Sequence, residues 1–503
     1  MDRGHRVQGG GRSARGAAMT LPSPETLILL AVLVPFAGAL IIPLFHSRPN
    51  LRETVTLVTA GVLFVTVFGL LTPVLGGARP QAQIIEIVPG LALAFQVEPL
   101  GMLFALVASS LWIVNSIYSI GYMRANKEPR QTGFYVCFAI ALGSTIGIAF
   151  AKNLFTLFLF YEALTISTYP LVTHKGNDEA IRAGRLYLLL LLGTSLVLFL
   201  PAIIATYVLA GTLDFTPGGI LAGKAGAPVI AALLALYVFG IGKAAVMPLH
   251  FWLPAAMVAP TPVSALLHAV AVVKAGVFAV LKVVVYVFGI DTLTKTGANE
   301  WLIFVASASL LTASFIALSR DNLKARLAYS TISQLAYVVL GAALATPTSI
   351  VGSGLQIAMH AAGKITLFFC AGAIYTAHHL TEVSGMTGIG RKMPVTMLAF
   401  LVASLSIIGL PPLGGTWSKW TLALGALDAG YVIVVGVLML SSLLSVAYLL
   451  PIVARGFFLP PGEGNIAVEE APAACLIALS CTALLCIVLF FLAGRIETLL
   501  AGL

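Results

Sequence analysis

Apolar runs long enough to cross a bilayer follow one another along nearly the whole of this chain, separated only by short polar or Gly/Pro-rich stretches. A hydrocarbon core of about 30 Å takes roughly 20 helical residues. Cut on that criterion, the sequence predicts fourteen spans: 25–45, 54–74, 98–122, 133–151, 154–173, 185–210, 229–253, 262–289, 301–319, 328–345, 349–377, 395–427, 431–454 and 473–493. In lipid every backbone group must bond within its own segment or close a barrel, and these runs are too evenly apolar for barrel strands. The expected fold is an all-α integral membrane protein. Only 9% of the residues are charged, against about 25% in an average soluble domain, which excludes a soluble fold. The net charge of +9 is spread singly through loops, so nucleic acid is not an expected partner.

Lys and Arg concentrate in the loops that follow odd-numbered spans, such as Arg124, Lys127 and Arg130, or Arg320, Lys324 and Arg326. The alternate loops and the C-terminal tail hold only Arg79, Lys152, Lys224, Lys295 and Arg495. Positive loops stay cytoplasmic, which predicts a prokaryotic cell membrane protein with both termini outside. Arg3, Arg6, Arg12 and Arg15 oppose that orientation, so translation is expected to start at Met19 and the basic tail 1–24 to be disordered or untranslated. Cysteines 137, 370, 475, 481 and 486 show neither CxxC spacing nor His partners and read as apolar packing residues.

Five lysines remain inside the spans: Lys243, Lys274, Lys282, Lys364 and Lys419. A lysine at mid-bilayer costs roughly 2.5–3.5 kcal/mol on insertion scales, so each needs a reason to be there. Lys282 lies in the second half of its span and can equally snorkel to the headgroups. Lys243, Lys274 and Lys364 have apolar or small residues on both sides and cannot. Glu162 is the one carboxylate in the middle of a span. Paired with Lys243 it would keep its charge and respond to its partner, as a proton switch requires; a static weld between two helices is the competing role. His250, His268 and His360 add groups that titrate near neutral pH. His360 and Lys364 are four residues apart and share a helix face. Haem ligation by such histidines would need matched pairs on facing helices, and none is visible.

The seventh span, GIGKAAVMPLHFWLP, and the twelfth, GLPPLGGTWSKW, each combine a Gly/Pro interruption with a lysine, five spans apart. Broken helices at corresponding positions point to an inverted repeat with the ion site at its interface, although prolines can also merely kink packed helices. The division expected is 25–132 for spans 1–3, 133–289 for a first repeat of spans 4–8, 301–454 for a second of spans 9–13, and 473–503 for the last span and C-terminus.

The segments MPLHFWLPAAMVAPTPVSALLHAVAVVKAGVF, FLFYEAL, SQLAYVVLG, MHAAGKITLFFCAGA and GLPPLGGTWSKW resemble the antiporter-like subunits shared by respiratory complex I, Mrp-type sodium/proton antiporters and membrane-bound hydrogenases. The resemblance covers roughly residues 95–455 and looks closest to the D type of Mrp subunit. It implies a fourteen-helix core of two inverted five-helix repeats that conducts protons at mid-membrane. It also implies a helix-5 glutamate at Glu162 with its helix-7 lysine at Lys243, a central lysine at Lys274, relay positions at His360 and Lys364, and a terminal group at Lys419. Many such proteins read LPDAH before APTPVS; here Leu253–Met257 reads LPAAM, so a relay histidine and an aspartate are absent.

The expected activity is proton translocation, with Na⁺ as a second candidate ion, by one membrane subunit of a larger complex. The pathway expected is Glu162, Lys243, Lys274, His360, Lys364 and Lys419, with His250, His268 and Lys282 as secondary candidates. Expected partners are other membrane subunits, the transported ions and the lipid bilayer. No Cys cluster, nucleotide fingerprint or haem pattern predicts a cofactor, a metal site or a redox centre in this chain. The alternative is a stand-alone secondary transporter for a small solute.

Overall fold

The computed structural model describes residues 22–88, 90–460 and 468–502. The expected start at Met19 and nearly all of the basic tail lie outside them. Among the described residues, twelve helices are long and apolar enough to cross a membrane: α1 (Pro24–Phe45), α2 (Pro49–Leu75), α3 (Pro99–Ala125), α4 (Gln131–Ala149), α5 (Leu154–Val172), α6 (Asp178–Ala210), α8 (Thr261–Phe288), α9 (Glu300–Ser319), α10 (Leu323–Leu344), α11 (Pro347–His378), α14 (Val432–Phe458) and α15 (Ala473–Leu500). Where the two interrupted spans were expected, the helices are short. The first has α7 (Ala227–Gly240) followed by tight turns, and the second splits into α12 (Pro394–Ile408) and α13 (Gly415–Asp428).

Several helices run further than their hydropathy shows. α6 starts at Asp178, with the Asn177 side chain accepting from Ala180 N–H at 2.9 Å, so Arg182 and Arg185 lie in its first turns and not in a loop. α10 starts at Leu323 on an Asn322 cap, which places Lys324 and Arg326 in the helix as well. Such caps satisfy the free N–H groups of the first turn and let polar residues at the membrane surface join the helix.

The fold is helical as expected, with one small addition in a connection that the sequence did not predict. β1 (Gln81–Val88) and β2 (Leu91–Gln96) form an antiparallel hairpin between α2 and α3, with Gln81 opposite Gln96. It lies in a connection between spans, where strand edges are not forced to go unsatisfied in lipid. Gln96 N–H donates to Phe150 O at 2.7 Å and Lys152 N–H to Ala94 O at 3.0 Å, so the hairpin clasps the turn between α4 and α5. This side of the molecule is called the hairpin side below.

Packing divides the helices by exposure. The central stretches of α8, α10 and α11 are wholly buried, whereas α1, α2, α6, α14 and α15 expose large apolar side chains such as Leu40, Val65, Val208, Met439 and Phe491. A soluble protein would bury that surface, and hydrocarbon is its natural solvent. The chain is a multi-pass membrane protein whose buried central helices carry Lys274, Lys282 and Lys364, three of its five intramembrane lysines. Of the free cysteines, Cys370, Cys475 and Cys486 are buried and Cys481 is exposed on the apolar surface.

Candidate functional site

The middle of α8 meets the middle of α11. There Lys274 Nζ lies 2.5 Å from His360 Nδ1, and both side chains are buried. In so short a contact one partner must offer a lone pair, so the two nitrogens share protons and do not both carry full positive charge. His360 Nε2 has no other hydrogen-bond partner. One turn along α11, Lys364 Nζ donates to Ser330 Oγ of α10 at 2.8 Å and reaches Leu327 O at 3.4 Å. Ser330 Oγ is 3.0 Å from Tyr448 Oη of α14, which is 2.9 Å from Ser445 Oγ. A second polar group joins Ser314, Ser333 and Ser441 at 2.8–3.4 Å.

Lys419 lies half-buried just after the break between α12 and α13. Its Nζ donates to Ser442 Oγ at 2.9 Å and to Ile408 O at 3.0 Å, and stands 4.8 Å from the centre of the Tyr337 ring. The break supplies that carbonyl, because Gly409 turns the chain at φ +94° and leaves Ile408 O outside the helix ladder. Gln334 and Gln356 bond each other at 2.9 Å between α10 and α11, and Ser418 Oγ donates to Gln356 at 2.6 Å. Hydroxyls and amides thus occupy much of the space between Lys364 and Lys419. Sequence reasoning missed them, although STISQLAY and SSLLSVAY carried a signal. Ser330, Ser333, Gln334 and Tyr337 recur at helical spacing, as do Ser441, Ser445 and Tyr448, so each set marks one polar face.

On the other side of α8, Lys243 follows α7 by three residues, in the turn where the helix stops. Its Nζ donates to Thr165 Oγ1 at 2.6 Å and Tyr161 O at 2.8 Å, and lies 3.1 Å from the centre of the Tyr161 ring. The segment fits closely against α8, because a Cβ on Gly276 would run into the backbone of Lys243 and Ala244. Glu162 and Lys243 stand close enough to feel each other's charge, and Ser195 also lies beside the Glu162 carboxyl. None of the ion pairs among the described residues joins the two side chains directly. The reason is angular. Tyr161 and Thr165, four apart, share the α5 face that meets Lys243, while Glu162 is turned by about 100° toward Leu159 and Ile166, which are exposed on the molecular surface.

The three secondary candidates fall in different places. His268 is fully buried, its ring 4.7 Å from Phe368, and neither ring nitrogen has a partner. His250 sits in the turns between α7 and α8, 4.2 Å from the Phe251 ring and 6.1 Å from that of Tyr329. Lys282 does not snorkel: it is 1% exposed and lies 2.9 Å from Glu98, at the start of α3. Glu98 was missed because it stands at the edge of a span, where a carboxylate next to Pro99 reads as a solvated helix start.

Residues 151–445 match the family model described as "NADH:quinone oxidoreductase/Mrp antiporter, TM". The chain is 31% identical over 445 residues to the N-type subunit of NADH-quinone oxidoreductase from Desulforudis audaxviator, covering 87% of each. It is 27% identical to the D-type subunit of the Na(+)/H(+) antiporter from Alkalihalophilus pseudofirmus, covering 84% of this chain and 86% of the relative. Identity alone therefore does not favour the D-type over the N-type relative. The fold matches a chain in the structure of the Mrp complex from Dietzia sp. DQ12-45-1b at a TM-score of 0.84 and 22% identity, over 96% of this chain and 97% of that one.

Proposed function

We propose, from the premise that this chain belongs to the NADH:quinone oxidoreductase/Mrp antiporter transmembrane family, that it is a proton-translocating membrane subunit of a multisubunit complex. The observation that carries the reading is the 2.5 Å contact between Lys274 and His360 in the buried centre of the molecule. Two basic groups at hydrogen-bond distance have to share protons, and a proton added on one side displaces one on the other. Lys364 stands a turn away, and the hydroxyls of Ser330, Tyr448, Ser445 and Ser442 offer rotatable donors and acceptors toward Lys419. With a few waters between these groups, a proton can pass from Lys274 through His360 and Lys364 to Lys419.

In this scheme Glu162 and Lys243 form the switch that raises or lowers the positive potential at Lys274. The nearness of the two charges supports this, and Lys243 is held in place by Tyr161 and Thr165. Glu162 lies next to the exposed apolar side chains of Leu159 and Ile166, and this supports a neighbouring subunit covering that face. The two broken segments, each followed by a lysine, support inverted repeats over 133–289 and 301–454. The basic loops opposite the hairpin support a prokaryotic inner membrane location with both termini outside. Na⁺ is a second candidate ion, since half-buried carbonyls such as Ile408 O suit it as well as they suit Lys419.

Lys274→Ala, produced in the complete complex, tests the scheme. Coupled proton transport in membrane vesicles should fall to background while partner subunits still co-purify. Full coupled transport in that variant would overturn the reading.

A further inference from the structure

At its hairpin-side end, α8 carries a second buried charge pair that the route above does not use. Lys282 Nζ lies 2.9 Å from Glu98 Oε1 and donates to Ala151 O at 2.7 Å, in the turn clasped by the hairpin. Both side chains are buried, the Tyr286 hydroxyl stands beside the carboxylate, and among the described residues no donor is well placed to bond Glu98 Oε2. Outside the pair lies a small cavity bordered by Arg79, Gln96, Pro217 and Tyr286. Inside it, Phe278 stands one helical turn from Lys274 and one from Lys282, and packs on Phe104 of α3 with ring centres 4.9 Å apart. Lys282 Nζ lies 5.6 Å from the Phe278 ring centre and 4.6 Å from that of Phe215. Lys274 and Lys282 are therefore about 12 Å apart along one helix axis, with an aromatic layer between them.

We propose that Glu98 and Lys282 form the gate that closes the Lys274 route toward the hairpin side and stays open while Glu98 holds a proton. The proposal rests on the reading of Lys274 as a proton carrier. A purely structural clip has no need of charge, since apolar residues of similar volume would hold two helices as well. A buried carboxylate oxygen without a well-placed donor, beside a cavity, is instead a proton-accepting atom. In the closed state the ammonium and carboxylate hold each other, and the Phe278–Phe104 layer excludes water. In the opening step water enters that layer. The Lys274 ammonium gives up a proton and becomes an amine, and a Glu98 oxygen takes the proton to become a carboxylic acid. The acid no longer attracts Lys282 by charge; it then passes the proton to water in the cavity, which restores the carboxylate and the pair. The other titratable groups around the pair are Tyr286 on α8, Arg79 after α2, and Lys152, which is 3.6 Å from Asp214.

The test measures decay of an imposed pH gradient and coupled transport in vesicles holding the complete complex. Lys282→Met and Glu98→Gln, which break the pair, should leak protons about five-fold faster or more, with coupled transport reduced. Lys282→Arg keeps the pair and should match the unsubstituted complex. Assembled Lys282→Met and Glu98→Gln complexes with unchanged leak and transport would overturn the gate, as would a leak in Lys282→Arg equal to that of Lys282→Met. Where the pair-breaking variants fail to assemble, hydrogen exchange of the unsubstituted complex decides. Acidifying the hairpin side should lower the protection factors at 98–104 and 276–288, taken relative to the intrinsic exchange rate at each pH, and protection factors there that do not change with pH overturn the gate. Lys274→Ala measured in parallel separates the two ideas: full transport in it defeats the carrier reading, whereas its loss beside unaltered pair variants defeats only the gate.

Discussion

Individual side chains here act through the partners their helices bring within about 3 Å. Lys364 shows this well. Alone in a span it would cost a few kcal/mol, yet Ser330 Oγ at 2.8 Å solvates its ammonium and links it to Tyr448. Removing that hydroxyl costs about 1 kcal/mol for a lost hydrogen bond, equivalent to about five-fold in rate. Ser330→Ala should therefore slow proton flux by about that factor without abolishing it, as measured by the initial rate of vesicle acidification. An unaltered rate would place Ser330 outside the route. The lysines and histidines were legible in the sequence because each is costly in lipid. Ser330, Ser442, Tyr337 and Tyr448 were harder to pick out: helical spacing marks the polar faces, but hydroxyls are common in membrane helices, and their facing partners show which of them meet the lysines.

At the scale of elements, the interruptions matter more than the helices they interrupt. The stop at Gly240 turns Lys243 out of a helix ladder and lays its backbone on α8, a fit possible only because residue 276 is glycine. Gly276→Ala should force the two segments apart at about 1–3 kcal/mol, the usual cost of overpacking. A lower thermal midpoint together with reduced transport is the expected outcome; unchanged values of both would mean that the contact yields without consequence. The sequence placed these breaks correctly, because Gly and Pro leave a local signature. It left the geometry between elements open. Glu162 and Lys243 do stand near each other, but the 100° step between successive residues gives the lysine's direct hydrogen bonds to Tyr161 and Thr165. The hairpin at 81–96 was also overlooked, since short strands in a connection carry little periodicity beside spans of 20 residues.

Across the whole molecule, wholly buried α8, α10 and α11 stand inside a surround of helices with apolar exteriors. The proposed orientation predicts opposite labelling of the two sides. A membrane-impermeant thiol reagent added to intact cells should modify Ile85→Cys on the hairpin and spare Lys175→Cys in the turn after α5, both positions being exposed. Labelling of Lys175→Cys from outside would invert the topology. What the sequence by itself determined is membership of the membrane, the order of apolar runs, the two breaks and the ionisable residues worth asking about. These are local properties, written in hydropathy and in the cost of charge in hydrocarbon. Which of those residues meet was decided by the tertiary structure alone. Lys274 with His360, Lys364 with Ser330 and Lys282 with Glu98 join residues up to 184 positions apart, through helix rotations that no single helix records.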